Sequence, residues 1–316
     1  MAQEKPKDGY MFDSNDFDLD AYIRFRPQYT DRIFKEIYDY HGARGGQWKL
    51  AHDAGTGAGI VVEELLKKFE VVAASDSSAQ YVAVSQKRLS QLVPLERLRF
   101  SHHPAEDMSW LPPSSVDLIT IAMAVHWTQT DVFLKSAAEA LKPGGTLAIL
   151  NYGTLPYAAE KPEAQRILED IHAHFAEEVV KNLPKTHLEK FERVFEIVQS
   201  RLNAIAVSED LWKPGVKRIQ WNADQALPLG PNVPIIKVDP NSSSVGPNDI
   251  VENKTDDDAL TIQADAQWVK GYFKHLYSNV PEDALSKTLF TELENKFGRS
   301  STKLSWTVSL ILATRA

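Results

Sequence analysis

The chain contains no cysteine among its 316 residues, which excludes disulfide bridges, thiolate zinc sites and a cysteine nucleophile. It has no apolar run close to the roughly 18 residues that span a membrane, and its first residues are polar where a secretory signal would be apolar. Positive charge is also scarce, because 35 Lys and Arg stand against 43 Asp and Glu. The sequence therefore predicts a cytoplasmic protein that binds neither membranes nor nucleic acid, whose phosphates need a basic footprint.

Without thiolates, a metal site would have to be built from histidine and carboxylate side chains. His172 and His174 lie two residues apart on a predicted helix, so their side chains are expected on different faces. The sequence predicts no metal ligands, and it indicates nothing about oligomeric state.

From residue 45 onward the chain alternates between short β-forming runs and amphipathic helical runs. Strands are predicted at "WKLAHD", "VVAASD", "RLRFSH", "VDLITIAMA" and "TLAILNYG", with helices at "IVVEELLKKF", "AQYVAVSQKRL" and "DVFLKSAAEAL". Five strands with interposed helices are typical of an α/β fold with a doubly wound parallel sheet.

Outside this alternation the pattern is helical before residue 45 and helical, then loop-like, after Gly153. The final run "KLSWTVSLILATR" is strongly β-forming and predicts a strand that returns antiparallel to the sheet. The predicted divisions are an N-terminal lid and helix at 1–44, a cofactor-binding core at 45–153, a helical cap or substrate region at 154–300 that includes a long Pro-rich loop at 225–258, and a C-terminal strand at 301–316.

Three glycines follow the first predicted strand at every second position, in "DAGTGAG". Glycines placed in this way let the backbone turn tightly and approach a ligand closely. A dinucleotide fingerprint would require glycine where this chain has Ile60, and no Lys-Ser or Lys-Thr pair suits a phosphate-binding loop. The carboxylate of Asp53, placed beside a helix N-terminus, suits the ammonium group of an amino acid better than a phosphate.

Four motifs occur in order along the core: "DAGTGAG", "SDSS", "AEDMSWL" and "LKPGG". Together they resemble the class I S-adenosylmethionine-dependent methyltransferases over about residues 45 to 152. Two further segments, "AYIRFRPQYTDRIFKEI" and "VDLITIAMAVHW", resemble the fungal branch that includes the trans-aconitate methyltransferases. The resemblance implies a Rossmann-like, mostly parallel seven-stranded sheet with a helical and loop-rich cap, and S-adenosylmethionine as cofactor.

The resemblance also implies which residues bind the cofactor. Asp53, Gly55 and Gly57 would shape the pocket for the methionine moiety, and Asp76, at the end of the second strand, would hold the ribose hydroxyls. The full predicted set is Tyr22, Arg26, Asp53, Gly55, Thr56, Gly57, Asp76, Ser77, Ala105, Glu106, Asp107 and Ala122.

The adenine contact departs from the family pattern, because Pro104 stands where many members carry a carboxylate. Glu106, Asp107 or backbone groups alone are the remaining partners for the adenine. In the N-terminal lid, Arg26 would pair either with the carboxylate of the cofactor or with an acidic substrate. A surface salt bridge is the competing interpretation for Arg26.

The residues that leave the fourth strand face the substrate in such a sheet, so His126 and Trp127 are the predicted catalytic positions. His126 would take a proton from a phenol or alcohol, whereas a carboxylate or thiolate acceptor needs no base. The alternative interpretation is that His126 is a hydrogen-bonded core residue and that Trp127 only packs against its neighbours.

The predicted function is methyl transfer from S-adenosylmethionine to a small-molecule acceptor, most simply O-methylation of a carboxylate or hydroxyl of an organic acid or fungal secondary metabolite. S-, N- or C-methylation of a natural product is an alternative. A second alternative is a protein that binds the cofactor but has lost methyl transfer and serves as a cyclase or regulatory module. The motifs allow it because they indicate cofactor binding rather than catalysis. A nicotinamide dehydrogenase is disfavoured by Ile60.

Overall fold

The computed structural model describes residues 19–184, 187–225, 228–230, 239, 241–255, 259–298 and 300–316, without the side chains of residues 19, 20 and 22. Its helices are α1 (Leu19–Arg24), α2 (Asp31–Ala43), α3 (Ile60–Leu65), α4 (Ala79–Leu89), α5 (Thr130–Ala140), α6 (Pro162–Lys181), α7 (Leu188–Gln199), α8 (Ala266–Leu276) and α9 (Ala284–Phe297). Its strands are β1 (Leu50–Ala54), β2 (Val71–Asp76), β3 (Leu98–His102), β4 (Val116–Ala122), β5 (Leu141–Tyr152), β6 (Lys217–Trp221), β7 (Ile250–Lys254), β8 (Thr261–Ala264), β9 (Thr302–Ser305) and β10 (Val308–Thr314).

The central sheet has the strand order β3-β2-β1-β4-β5-β10-β6-β7. Strands β1 to β5 are parallel to one another, and β10 lies between β5 and β6, antiparallel to both. The order reverses direction at β1 and β4, so their carboxyl ends flank the crevice where ligands bind in such folds. The predicted doubly wound, mostly parallel α/β sheet is confirmed.

The predicted number of seven strands is one too low, because both β6 and β7 extend the sheet beyond β10. Residues 250–254 were predicted as part of a loop, yet they form β7, which pairs in parallel with β6. A buried ion pair fixes the entry to β7, since Nε of Arg218 in β6 donates to Asp249 Oδ2 at 2.7 Å. The strand β7 forms only by pairing with β6, which is distant in sequence. Its proline-rich surroundings have the composition of a loop, so the sequence pattern does not indicate a strand there.

Two apolar cores cover the faces of the sheet. One combines side chains of α2 and α3 with those of the cap helices α6, α8 and α9. The other lies beneath α5 and α7. Since cap and core helices share one apolar cluster, packing alone does not divide the chain at residue 154, and the predicted division into lid, core and cap stays a prediction. Among the described residues, no helix has both the length and the apolar character needed to cross a membrane.

Candidate active site

The glycine loop lies at the crevice where β1 and β2 end. Backbone N–H groups of Gly55 and Thr56 both donate to the Ser75 carbonyl at 2.9 Å, which ties the loop to the end of β2. Gly55 has φ +70°, and a Cβ built there would lie 2.7 Å from the Cβ of Ala124. Only glycine fits this position without displacement of its neighbour. The loop therefore contacts the segment that follows β4.

Asp53 is buried at the end of β1, and its Oδ1 accepts a 2.7 Å hydrogen bond from the Thr120 hydroxyl. Burial raises the pKa of Asp53 from 3.8 to about 7, while hydrogen bonds from Thr120 and Thr56 oppose that rise. No Lys, Arg or His within the described part of the chain forms an ion pair with this carboxylate. A cationic ligand would supply the positive charge that the described residues do not place beside Asp53.

Asp76 connects the glycine loop to the turn after β2. Its Oδ2 accepts from the Gly57 N–H at 2.9 Å, and its Oδ1 accepts from the Ser78 N–H at 2.9 Å. These two hydrogen bonds hold the glycine loop against the turn at the carboxyl end of β2. Ser77 is exposed beside Asp76, and its carbonyl accepts a hydrogen bond from His102.

The predicted adenine stretch is held mainly by local contacts. Ala105 is buried, whereas Glu106 Oε1 accepts from the Gln129 N–H at 2.8 Å, just before α5. Asp107 accepts from the Ser109 N–H at 3.0 Å, and its hydrogen bonds with Ser109 lower its pKa. Both carboxylates thus make hydrogen bonds within the protein, which favours backbone groups near Ala105 as the adenine contact.

Strand β4 ends at the half-buried Ala122, and after two further residues His126 and Trp127 lie in a short 3-10 helix, Val125–Trp127. His126 is 8% exposed, and burial lowers its pKa to about 4, so the ring is neutral near pH 7. Trp127 packs edge-on against Phe191 of α7, with ring centroids 5.6 Å apart. This tryptophan links the exit of β4 to a cap helix.

Arg26 lies beside the end of β5 rather than at the protein surface, because its Nη1 donates to the Tyr152 hydroxyl at 3.5 Å. Burial raises the pKa values of Tyr272 and Tyr277, and the Arg26 charge opposes that rise while it lowers the pKa of His126. The side chain of Tyr22 lies outside the described residues. The structure therefore brings Arg26, His126 and the glycine loop to one edge of the sheet.

Comparison with known proteins identifies the family. A methyltransferase domain matches residues 52–149. The methyltransferase pgmE of Aspergillus terreus is 30% identical over 312 residues, covering 94% of this chain and 92% of its own length. The chain belongs to the class I S-adenosylmethionine-dependent methyltransferases.

Further matches agree with this methyltransferase assignment. The methyltransferase cfoB of Aspergillus candidus is 29% identical over 308 residues, covering 93% of this chain and 94% of its own. A solved structure, described as a putative type II methyltransferase from Anaeromyxobacter dehalogenans, superposes with a TM-score of 0.53 at 18% identity, covering 92% of this chain and 96% of its own. That likeness shows the fold. The narrower resemblance to the trans-aconitate branch stays a prediction.

S-adenosylmethionine is the cofactor of this methyltransferase, and the residues present suit it. The ammonium group of its methionine moiety would supply the cation that buried Asp53 lacks, and the ribose hydroxyls would donate to Asp76. When bound, the cofactor offers an electrophilic methyl group on a sulfonium. The roles of the individual residues stay predictions.

Three residues at this edge were not predicted from the sequence: Thr120, which hydrogen-bonds Asp53, and Asn151 and Tyr152 at the end of β5. Thr120 interrupts the apolar run "VDLITIA", and Asn151 interrupts "LAILNY". A polar residue near the carboxyl end of an otherwise apolar parallel strand is the signal that would have indicated them.

Proposed function

We propose that this methyltransferase transfers a methyl group to an oxygen, a hydroxyl or a carboxylate, of a small organic acid or fungal secondary metabolite. The observation that carries the proposal is a buried, neutral histidine at the exit of β4. The glycine loop contacts this segment, and the Arg26 charge lies close enough to lower the pKa of His126. This combination supports oxygen as the acceptor atom.

A neutral imidazole accepts a proton, and a nearby guanidinium stabilises the negative charge that develops on an oxygen as its proton leaves. Methyl transfer also needs an in-line arrangement and exclusion of water, and positioning of the reactants contributes about 7 to 11 kcal/mol at best. We assign positioning of the donor to Asp53, Gly55 and Asp76.

The cap packs tightly against the end of β5. Trp268 stacks on Tyr272 in α8, with ring centroids 5.5 Å apart, and the buried Tyr272 hydroxyl donates to the Thr154 carbonyl at 2.8 Å, just after β5. The relatives are described only as methyltransferases, so the acceptor is inferred from the site.

The test combines binding with turnover. Calorimetry with S-adenosylmethionine and S-adenosylhomocysteine is followed by mass spectrometry of products from a panel of phenols, alcohols, carboxylic acids, thiols and amines. We expect binding of both ligands and a product with one methyl group on oxygen. A methyl group on sulfur, nitrogen or carbon would refute the oxygen assignment, and binding with no product from any acceptor would favour a protein that has lost methyl transfer.

A matched pair of variants tests the role of His126. His126→Asn is expected to lower kcat with hydroxyl acceptors while leaving cofactor binding unchanged. His174→Asn is the control, because His174 pairs with Asp283 at 3.1 Å on the cap surface. Equal activity of the two variants would remove His126 from the reaction.

A further inference from the structure

Helix α8 carries a glycine, Gly271, at its centre. Glycine in the middle of a helix weakens that helix relative to alanine, so its presence there calls for a reason. A Cβ built on Gly271 would lie 2.5 Å from both Cδ1 and Cζ of Phe25 and closer still to Cε1. Carbon atoms in a packed protein do not approach so closely, so the Phe25 ring fills the space that any larger residue at 271 would need.

Trp268 contacts the same phenylalanine from one turn earlier in α8. Residues three apart lie on one face of a helix, which places Trp268 and Gly271 side by side. The Trp268 ring meets Phe25 edge-on, with centroids 6.4 Å apart, and its Nε1 donates to the Arg24 carbonyl at 2.9 Å. Because Arg24 ends α1, this bond satisfies a carbonyl that the helix terminus leaves open. Gly271 and Trp268 together form the Phe25 pocket.

Arg26 follows Phe25 directly, and the chain is anchored on both sides of it. Before Arg26 lies the Phe25 pocket, and after it the Thr30 hydroxyl donates to the Ala259 carbonyl at 2.7 Å. Between these anchors, Nη1 of Arg26 donates to the Tyr152 hydroxyl at 3.5 Å, at the end of β5. Arg26 therefore reaches the carboxyl edge of the sheet because the segment that carries it is attached to α8.

The same helix is attached to the end of β5 on its other side. Tyr272, which stacks on Trp268, donates from its hydroxyl to the Thr154 carbonyl at 2.8 Å. The Trp306 ring packs against both, with centroids 6.2 Å from Trp268 and 5.9 Å from Tyr272. Tyr272 and Trp306 are fully buried, so this side of α8 is held in place. The Phe25 pocket thus has a fixed position relative to the carboxyl edge, where ligands bind in this fold.

We propose that Gly271 and Trp268 are positioning residues of this methyltransferase: they hold Phe25 and thereby keep Arg26 at the edge where S-adenosylmethionine binds. When Phe25 leaves its pocket, Arg26 moves away from that edge and the cofactor is bound less tightly. The two residues act on the methyl donor rather than on the acceptor, so their role is the same whichever atom is methylated.

The decisive variant is Gly271→Ala, which adds one methyl group where the Phe25 ring lies. The matched control is Gly42→Ala in α2, because a Cβ built there lies 3.8 Å from Cζ2 of Trp48, an ordinary contact. Both variants place alanine in a helix, so both should keep or raise the urea midpoint. Only Gly271→Ala should raise the Kd for S-adenosylhomocysteine, by about tenfold, because apparent affinity falls with the fraction of molecules in the binding-competent state.

Limited trypsin digestion measures release of the N-terminal segment directly. The bond after Arg24 is a trypsin site beside the Phe25 pocket, whereas the bond after Arg26 resists trypsin because Pro27 follows. Cleavage through local opening reports the population of the open form. We expect mass spectrometry to show cleavage after Arg24 about tenfold faster in Gly271→Ala than in the wild type or in Gly42→Ala.

Two double variants test how the effect is transmitted. With Phe25→Ala or Arg26→Ala already present, Gly271→Ala should cause no further loss of S-adenosylhomocysteine affinity, since the added methyl group acts through these two residues. An additive loss would overturn the proposal, and so would unchanged affinity and cleavage in Gly271→Ala.

A general disturbance of helices would give a different pattern. An equal loss of affinity in Gly42→Ala, or a lower urea midpoint in Gly271→Ala, would show such a disturbance and would also overturn the positioning role. All of these measurements use the methyl donor site alone, so their failure leaves the proposed oxygen acceptor untouched.

Discussion

The variant Asp53→Asn is expected to make the protein without cofactor more stable while weakening cofactor binding. Asp53 is buried at the end of β1, with the Thr120 hydroxyl at 2.7 Å and no cation beside it in the described part of the chain. Asparagine has the same shape, and its Oδ1 can still accept from Thr120. The change therefore removes the charge with little change in packing.

The magnitude follows from the pKa of Asp53, which burial raises from 3.8 to about 7. Because the folded-state pKa exceeds the unfolded value, the ionised form is penalised in the folded state. The penalty is absent below about pH 4, grows as the pH rises, and levels off at about 4 kcal/mol above pH 7. Asp53→Asn should recover about 4 kcal/mol at pH 8 and about 2 kcal/mol at pH 5.

The assay is urea unfolding of the cofactor-free protein at pH 8 and pH 5, with calorimetry of S-adenosylmethionine binding at pH 8. Cofactor affinity should fall by about 1.5 to 3 kcal/mol, since a charged hydrogen-bond partner is lost. The control is Asp117→Asn, because Asp117 is equally buried but pairs with Lys142 at 2.5 Å and accepts from two backbone N–H groups. That variant should be destabilised at pH 8.

Two results would refute this reasoning. If Asp53→Asn is no more stable than the wild type at pH 8, the carboxylate carries no burial penalty. If the gain is equal at pH 5 and pH 8, the gain does not come from ionisation. Retention of full cofactor affinity would instead remove Asp53 from the predicted methionine site.

Three further predictions follow from the same edge of the sheet and from the buried histidines. Asp76→Ala should weaken S-adenosylmethionine binding by about 1.5 to 3 kcal/mol in calorimetry; unchanged affinity of the folded variant would exclude Asp76 as the ribose contact. Cofactor binding at pH 6 should release a proton from Asp53, seen as a binding enthalpy that varies with the ionisation enthalpy of the buffer, and Asp53→Asn should abolish that variation. Burial lowers the pKa of His52 and His172 from 6.5 to about 3, so stability is lost as the pH falls below about 6.5. In the Asp53→Asn background, the free energy of unfolding should be lower at pH 5 than at pH 7 by about 2 kcal/mol per histidine. Equal values at the two pH values would mean that these rings are not buried as neutral groups.

The sequence predicts the parts of this site that depend on local geometry. Asp53 and Asp76 stand at the ends of consecutive parallel strands, and the glycines between them mark a tight turn, so strand order and motif spacing suffice. Asn151 cannot be recognised from local sequence alone, because it is an isolated polar residue in an apolar run. Its place at the site becomes clear only when β5 is paired with β4 in the sheet.

Strand β7 shows the limit of sequence patterns most directly. Its residues include the exposed Ile250 and Val251, and its segment has the composition of a loop. It becomes a strand because the backbone of β6 pairs with it and the buried Arg218 bonds Asp249. Strand pairing joins Lys217 to Ile250, and the ion pair joins Arg218 to Asp249. Each pair is separated by more than 30 residues, so no short sequence window contains both members.

The two edges of the sheet differ in how they treat a buried carboxylate. At the amino edge, Asp117 is neutralised by a lysine and two N–H groups, and His41 uses both ring nitrogens, to Thr146 at 2.9 Å and to the Gln47 carbonyl at 2.8 Å. At the carboxyl edge, Asp53 is equally buried, but no Lys, Arg or His among the described residues forms an ion pair with it. Folding alone would favour the first arrangement at both edges. The buried Asp53 carboxylate without a cation therefore agrees with the predicted binding site for the ammonium group of the methyl donor.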